Sequence, residues 1–239
     1  MTIISQDFNG GTPGSMIPAG LAPFSDRFAQ TNAFATYTDN SIHGDTAAYF
    51  VGTPTYSFHR YILTGSHHVL RGYVKKTSTP TGHAHILQAV TSADVIVSFL
   101  QVRNDAGNPL RHTSQTPFVT FGTTAAWAVD TVWRIEYDIV NAGAASTATA
   151  KIWTDPESNG TPTYTYTGTT GVNTYAVKIG NMHGQGLQVV WDTFAVSDGE
   201  AIGPVTMDPV DGGVSTAMLW NGADWVESGA IKSYNEGWI

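Results

Sequence analysis

The segment Val132-Trp133-Arg134-Ile135-Glu136-Tyr137-Asp138-Ile139-Val140 alternates without a break. Trp133, Ile135, Tyr137 and Ile139 fall on one side, and Arg134, Glu136 and Asp138 on the other. A period of two with a wholly apolar side describes a strand that covers a core with one face and meets solvent with the other. That pattern decides the fold class, because its neighbours repeat it. Downstream, 147–154, 163–166, 175–180 and 187–196 read as strands, the last closing in Trp191-Asp192-Thr193-Phe194-Ala195-Val196. Upstream, the same reading predicts strands over 2–8, 47–51, 55–63, 68–76, 83–90, 95–103, 110–113 and 117–121.

Strong turn signals separate them, among them Asn104-Asp105-Ala106-Gly107-Asn108-Pro109 and Asp155-Pro156-Glu157-Ser158-Asn159-Gly160. No window of eleven residues carries helical spacing of apolar positions. The alanines of 142–150 are interrupted by Gly143 and read as a turn entering a strand. The expected class is therefore all-β: an antiparallel β-sandwich, or jelly roll. Such a fold brings its first and last strands together. This predicts that 3–8 pairs with 189–196 and closes one domain over 1–204. Within the first 46 residues only that opening strand is expected, and 14–23 reads as an irregular loop.

Beyond Gly203-Pro204 the character changes, and 205–239 reads as a linker and a short hairpin tail. Trp220-Asn221-Gly222-Ala223-Asp224-Trp225-Val226 is echoed by Tyr234-Asn235-Glu236-Gly237-Trp238-Ile239. Asn221-Gly222 favours a two-residue hairpin turn. Hairpins this small cannot bury Trp220, Trp225, Tyr234 and Trp238 alone. These four residues are expected to dock on the main domain, on a neighbouring copy or on another protein.

The chain has 239 residues, enough to bury a sizeable core, and no cysteine. Thiol chemistry and disulfides are excluded, which fits assembly in a reducing cytoplasm. The N-terminus lacks the basic region and long apolar run of an export signal, and no apolar run is long enough to span a membrane. Eleven Lys and Arg against nineteen Asp and Glu give a net charge of −8, which argues against nucleic acid as a partner. The one adjacent basic pair, Lys75-Lys76, is expected on a solvated strand edge.

Glu136-Tyr137-Asp138-Ile139-Val140-Asn141 supplies carboxylates on one strand face, but its last position is an amide. Glycoside hydrolysis needs two carboxyl groups, so the segment reads as the polar face of a half-buried strand and no enzyme is expected. His83 and His85 share a strand face near His67-His68. Without cysteine or a second spaced pair no metal site is expected, and no cofactor. Asp155, Glu157 and Asn159 open like a calcium loop, but the closing acid is missing at Tyr166. For carbohydrate the candidates are Trp127 and Trp153 as aromatic platforms, with Asp39 and Asn40 as polar contacts. Trp153 faces outward if Ala148, Ala150 and Ile152 face the core.

Asp7-Phe8-Asn9-Gly10, the Trp133-to-Tyr137 strand and Trp191-Asp192-Thr193-Phe194-Ala195-Val196-Ser197-Asp198-Gly199 together resemble the concanavalin A-like lectin/glucanase jelly roll. They look like the version found in virion proteins of tailed bacteriophages, especially those of actinobacteria. The Trp-Asn-Gly-x-x-Trp-Val tail also looks typical of such proteins. The resemblance implies a structural component of a phage virion: a minor tail, fibre or head-decoration protein assembled in the host cytoplasm. It further implies a homo-oligomer, a trimer first, which meets other virion proteins through its tail and adheres to a bacterial surface glycan. The alternative is a carbohydrate-binding, lectin-like module, with a glycoside hydrolase third.

Overall fold

The computed structural model describes residues 3–18, 28–31, 35–51, 57–115, 117–183, 185–205, 218–220 and 225–227. In chain order the strands begin β1 (Ile3–Gln6), β2 (Phe28–Thr31), β3 (Ala35–Thr38), β4 (Ala47–Val51), β5 (Ser57–Ile62) and β6 (His67–Lys76). There follow β7 (Ala84–Val90), β8 (Ile96–Val102), β9 (Leu110–Gln115), β10 (Phe118–Thr123) and β11 (Val132–Val140). The last are β12 (Thr147–Trp153), β13 (Tyr164–Thr169), β14 (Ala176–Asn181), β15 (Gln188–Ser197), β16 (Met218–Trp220) and β17 (Trp225–Glu227). A 3-10 turn at Gly143–Ala145 leads into β12, where the alanine-rich stretch was expected to turn.

Fifteen of these strands form two antiparallel sheets, and β16 and β17 pair with each other in a separate ribbon. One has eight strands, ordered β13-β12-β11-β6-β15-β4-β3 with β1 paired to β15; the other has seven, ordered β10-β9-β8-β7-β14-β5-β2. The terminal pairing matches expectation, with Ile3 opposite Ser197 and Gln6 opposite Phe194. Strands β2 and β3 were not anticipated. Both are only four residues long, too short for alternation to stand out, and they exist by pairing with β5 and β4.

The apolar sides meet between the sheets. Trp133, Ile135, Tyr137 and Ile139 of β11 join Ala148, Ala150, Ile152, Leu100, Val102 and Ile179 in one buried cluster. Trp191 lies over Gly72, where an added Cβ would stand 2.6 Å from the indole, so only glycine leaves room for the ring. A bulge in β15 then changes its parity. Thr193, with φ +47°, is an extra residue between Asp192, opposite Tyr73, and Ala195, opposite Arg71. The insertion returns Phe194 and Val196 to the core while Asp192 and Ala195 stay outside.

Two sequence expectations are corrected here. The polar side of β11 is largely sealed from solvent: Arg134 is 1% and Glu136 2% exposed, and only Asp138 of the three stays partly accessible. They lie in a layer of charge with Arg71, Tyr73 and Asp192, covered by residues 202–205 and by the connections carrying His43 and Pro156. Lys75-Lys76 is likewise no edge pair. It sits in β6, between β11 and β15, with Lys75 Nζ donating to Asn40 Oδ1 at 2.7 Å and Lys76 Nζ to Asn108 Oδ1 at 3.2 Å. Long aliphatic stems allow both ammonium groups to reach polar partners from an interior strand.

Candidate functional site

At one end of the sandwich, the connections after β5, β7, β11 and β13 meet around an open cleft of about 620 Å³. Thr64, Ser66, Thr91, Asn141, Thr174 and Tyr175 are among its walls. The size lies within the range of small-molecule sites, roughly 300–1,000 Å³.

The rim is fixed by backbone and amide hydrogen bonds. Asn141 donates its N–H to Ser66 O at 2.6 Å, and its side chain grips Thr174 on both sides. Asn173 Oδ1 accepts the Gly143 N–H at 2.7 Å and the Ser146 hydroxyl at 2.8 Å. Leu63 donates to Tyr175 O at 2.9 Å, and Tyr175 to Val90 O at 2.8 Å, tying the lip to both neighbouring strands. A cleft built this way is largely formed before any ligand arrives, which lowers the ordering cost of binding.

Its chemistry is neutral: hydroxyls, amides and one aromatic ring. Tyr175 is 40% exposed at the lip, with the Arg60 guanidinium 5.8 Å from its ring centre. From there a charged strip continues along the outer side of the seven-stranded sheet. Asp94 lies 4.0 Å from Arg60 and 2.6 Å from Lys178, whose ammonium stands 4.7 Å over the Phe58 ring. Farther along, His85 stacks between Phe99 at 3.9 Å and His183 at 4.0 Å and accepts Gln88 Nε2 through Nδ1 at 2.9 Å. Burial first, then His183 and His83, pushes the His85 imidazole down to about 3, so it is neutral near pH 7.

The residues nominated from sequence are not assembled into a sugar site. Trp127 is 1% exposed, stacked on Trp133 at 4.9 Å, and its Nε1 donates to Thr131 O at 2.9 Å. A ring so enclosed offers no face to a ligand, and its platform role is corrected to core packing. Ala148, Ala150 and Ile152 do face the core, and Trp153 does point outward, but outward is not exposed there. Its ring carries the Arg134 guanidinium at 4.0 Å, its Nε1 donates to Gly160 O, and only 6% of it is accessible. Asp39 and Asn40 are exposed on another connection, where Asn40 holds Lys75.

Among the described residues no group of three or more His, Asp or Glu is arranged to hold a metal ion. Trp220 and Trp225 end up opposite one another in the β16–β17 ribbon, with four residues between them, not a two-residue turn. The expected linker after 205, and Tyr234 and Trp238, lie outside the described residues.

The cleft itself was missed by sequence reading. Its walls come from four connections separated along the chain, and none carries a motif. Asn141 was noticed only as the amide that spoils a pair of carboxylates.

No protein-family model and no curated protein sequence matches the chain. Solved structures do. An alginate lyase of polysaccharide lyase family 7 superposes with a TM-score of 0.50 at 13% identity, over 74% of this chain and 87% of the lyase. The fold is the concanavalin A-like jelly roll. A sialidase from Trypanosoma rangeli matches at 10% identity and TM-score 0.46 over 70% of this chain, which spans only 27% of the sialidase. The catalytic domain of another polysaccharide lyase, of family 18, matches at 14% identity and TM-score 0.39. One sequence expectation is thereby corrected. The chain was read as no enzyme, whereas the fold it shares over most of the alginate lyase is one that carries catalysis. A missing carboxylate at Asn141 speaks only to the two-carboxylate mechanism.

Proposed function

We propose that this chain is a carbohydrate-binding jelly roll that seats a glycan in the end cleft, with Tyr175 as the stacking surface. The observation that carries the reading is the cleft: preformed, about 620 Å³, walled by hydroxyls and amides, with one exposed aromatic ring at its lip. Sugars present apolar C–H faces and many hydroxyls, and aromatic rings with planar amides satisfy both. Support also comes from the fold shared with an alginate lyase. Arg60, whose guanidinium stands 5.8 Å from the Tyr175 ring centre, adds a cationic contact beside the lip.

Titration calorimetry with a panel of neutral and uronate-containing oligosaccharides tests this. Binding to at least one member is expected, weakened about tenfold or more by Tyr175→Ala, the loss of roughly 1.4 kcal/mol of stacking. A panel with no binder, or an affinity indifferent to Tyr175, would remove the proposal. The same mixtures, followed for new reducing ends and for the ultraviolet absorbance of unsaturated sugar ends, report whether bound polysaccharide is also cleaved.

For the tail we infer docking against another protein. Among the described residues the β16–β17 ribbon pairs with neither large sheet, and a two-stranded ribbon is marginal alone. A virion component of a tailed phage is the partner class that the sequence resemblance supports. Deleting 212–239 should then abolish incorporation into particles while near-ultraviolet dichroism of the sandwich persists, and unchanged incorporation would count against it.

A further inference from the structure

Residues 199–205 leave β15 and cross the outer face of the eight-stranded sheet as a strap. The sheet reads this strap largely through its backbone. Gly203 is held at both ends: its N–H donates to Glu136 Oε1 at 3.1 Å, and its carbonyl accepts Arg71 Nη1 at 2.9 Å. The Val205 N–H donates to Tyr73 Oη at 2.6 Å. Ile202 is buried in a small apolar cluster with Val69 and Ala195, separate from the main core. One apolar anchor and a clamp on the following peptide unit make up a peptide-recognition site, occupied in this chain by its own continuation.

That site cannot stand empty at low cost. Arg71 is 5% and Glu136 2% exposed beneath the strap, and both would lose hydrogen-bond partners if it simply lifted. Buried charges stripped of partners are strongly destabilising. A replacement strap restores every contact. The strap is also free of the ladder: it begins after Ser197, the last paired residue of β15, through Gly199 at φ +87°. Withdrawing it breaks no strand pairing.

We propose that the outer face of the eight-stranded sheet is an interface between copies of this chain, in which residues 199–205 of one copy fill the Glu136–Arg71–Tyr73 clamp of another. The contacts are those of the single chain, so the balance between the two forms is set by concentration and by the turn at Gly199, as in other exchanged segments. The interface is self-complementary: each copy gives a strap and receives one.

The absence of cysteine makes a direct test clean. Full-length Val69→Cys and full-length Ile202→Cys are prepared separately, mixed under reductant, incubated and oxidised. Only exchange brings the two thiols together, so a disulfide-linked heterodimer is expected. While monomer dominates, a tenfold rise in total chain should raise the linked fraction about tenfold. The Val69→Cys/Ile202→Cys double variant, which links within one chain, shows that the geometry and fold permit the bond. If the double variant links and the mixture does not at any concentration, the proposal fails. Should the double variant itself not link, native mass spectrometry of the unmodified chain decides. Dimers whose abundance rises with concentration, with residues 199–205 still protected from hydrogen exchange, sustain the proposal. Monomer throughout overturns it.

Discussion

The side-chain amide of Asn141 binds Thr174 at both ends: Oδ1 accepts the Thr174 N–H at 2.8 Å, and Nδ2 donates to the Thr174 carbonyl at 2.9 Å. It thus stands in for a backbone partner and holds the 170–175 connection against the end of β11. Asn141→Ala should cost about 1–3 kcal/mol by leaving both Thr174 groups unpaired. Urea unfolding would measure that loss. If the cleft is the glycan site, affinity should fall in the same variant. Asn141→Asp keeps the acceptor but loses the donor, and should lie between the two.

Tyr137 places a hydroxyl inside the core, 2.7 Å from Ser98 Oγ and 3.0 Å from His112 Nε2. Burial raises its pKa out of reach, so it remains a neutral donor and acceptor joining the two sheets. Tyr137→Phe keeps the ring and strands two polar groups. A loss of about 1–3 kcal/mol is expected, whereas a denaturation midpoint equal to that of the parent chain would contradict the account.

At one side of the sandwich each sheet edge offers the other a glycine. An added Cβ on Gly122 of β10 would run into the Tyr166 ring of β13, and one on Gly168 of β13 into the Phe121 ring of β10. This reciprocal seating zips the edges together, with Tyr166 Oη donating to Thr123 O at 2.8 Å. Gly122→Ala and Gly168→Ala should each destabilise by about 1–3 kcal/mol through overpacking. Hydrogen exchange should quicken in β10 and β13 before it changes in β6.

Acid should unfold the protein early. Burial lowers His43 to about 4, helped by Arg71, lowers His59 to about 3 and His112 to about 4, and lowers His85 to about 3 with its neighbouring imidazoles contributing. The unfolded chain binds these protons below its ordinary value of 6.5 and the folded chain does not. Stability is therefore present above 6.5 and is lost as the pH falls toward 4. Asp192 acts in the opposite sense. Burial raises it to about 6, against hydrogen bonds from His43, Ile42 and Thr193, so its contribution favours the fold at lower pH and is lost as pH rises from about 4 to 6. Burial also raises Glu136 and Glu157, which act as Asp192 does, and lowers His183, which acts as the other histidines do; the histidines, with the larger shifts, set the sign. The urea midpoint should drop steadily from pH 7 to pH 4.5, and a flat profile would show that these histidines are protonated in the fold.

Much of the architecture was legible because strand alternation is written residue by residue. The β11 pattern, the turn clusters and the pairing of β1 with β15 all appear where the chain indicates them. Short partners escaped notice. β2 and β3 owe their structure to the strands beside them, not to their own four residues. The site was barely legible. Trp127 and Trp153 were chosen because indole suits a sugar, but the same rings suit burial, and their own sequence cannot tell the uses apart. Thr64, Thr174 and Tyr175 carry no motif.

The sequence by itself determined an all-β chain of alternating strands, because periodicity is a local property of each segment and needs no knowledge of its neighbours. Only the tertiary structure decided which polar residues are dry and which face a cleft. Arg134 and Glu136 look solvated along β11, yet Arg134 is sealed by Trp153 and Pro156 and Glu136 by Gly203, 67 positions away, and the cleft arises where four distant connections converge. Burial depends on what lies across a face, and alternation does not record what lies across.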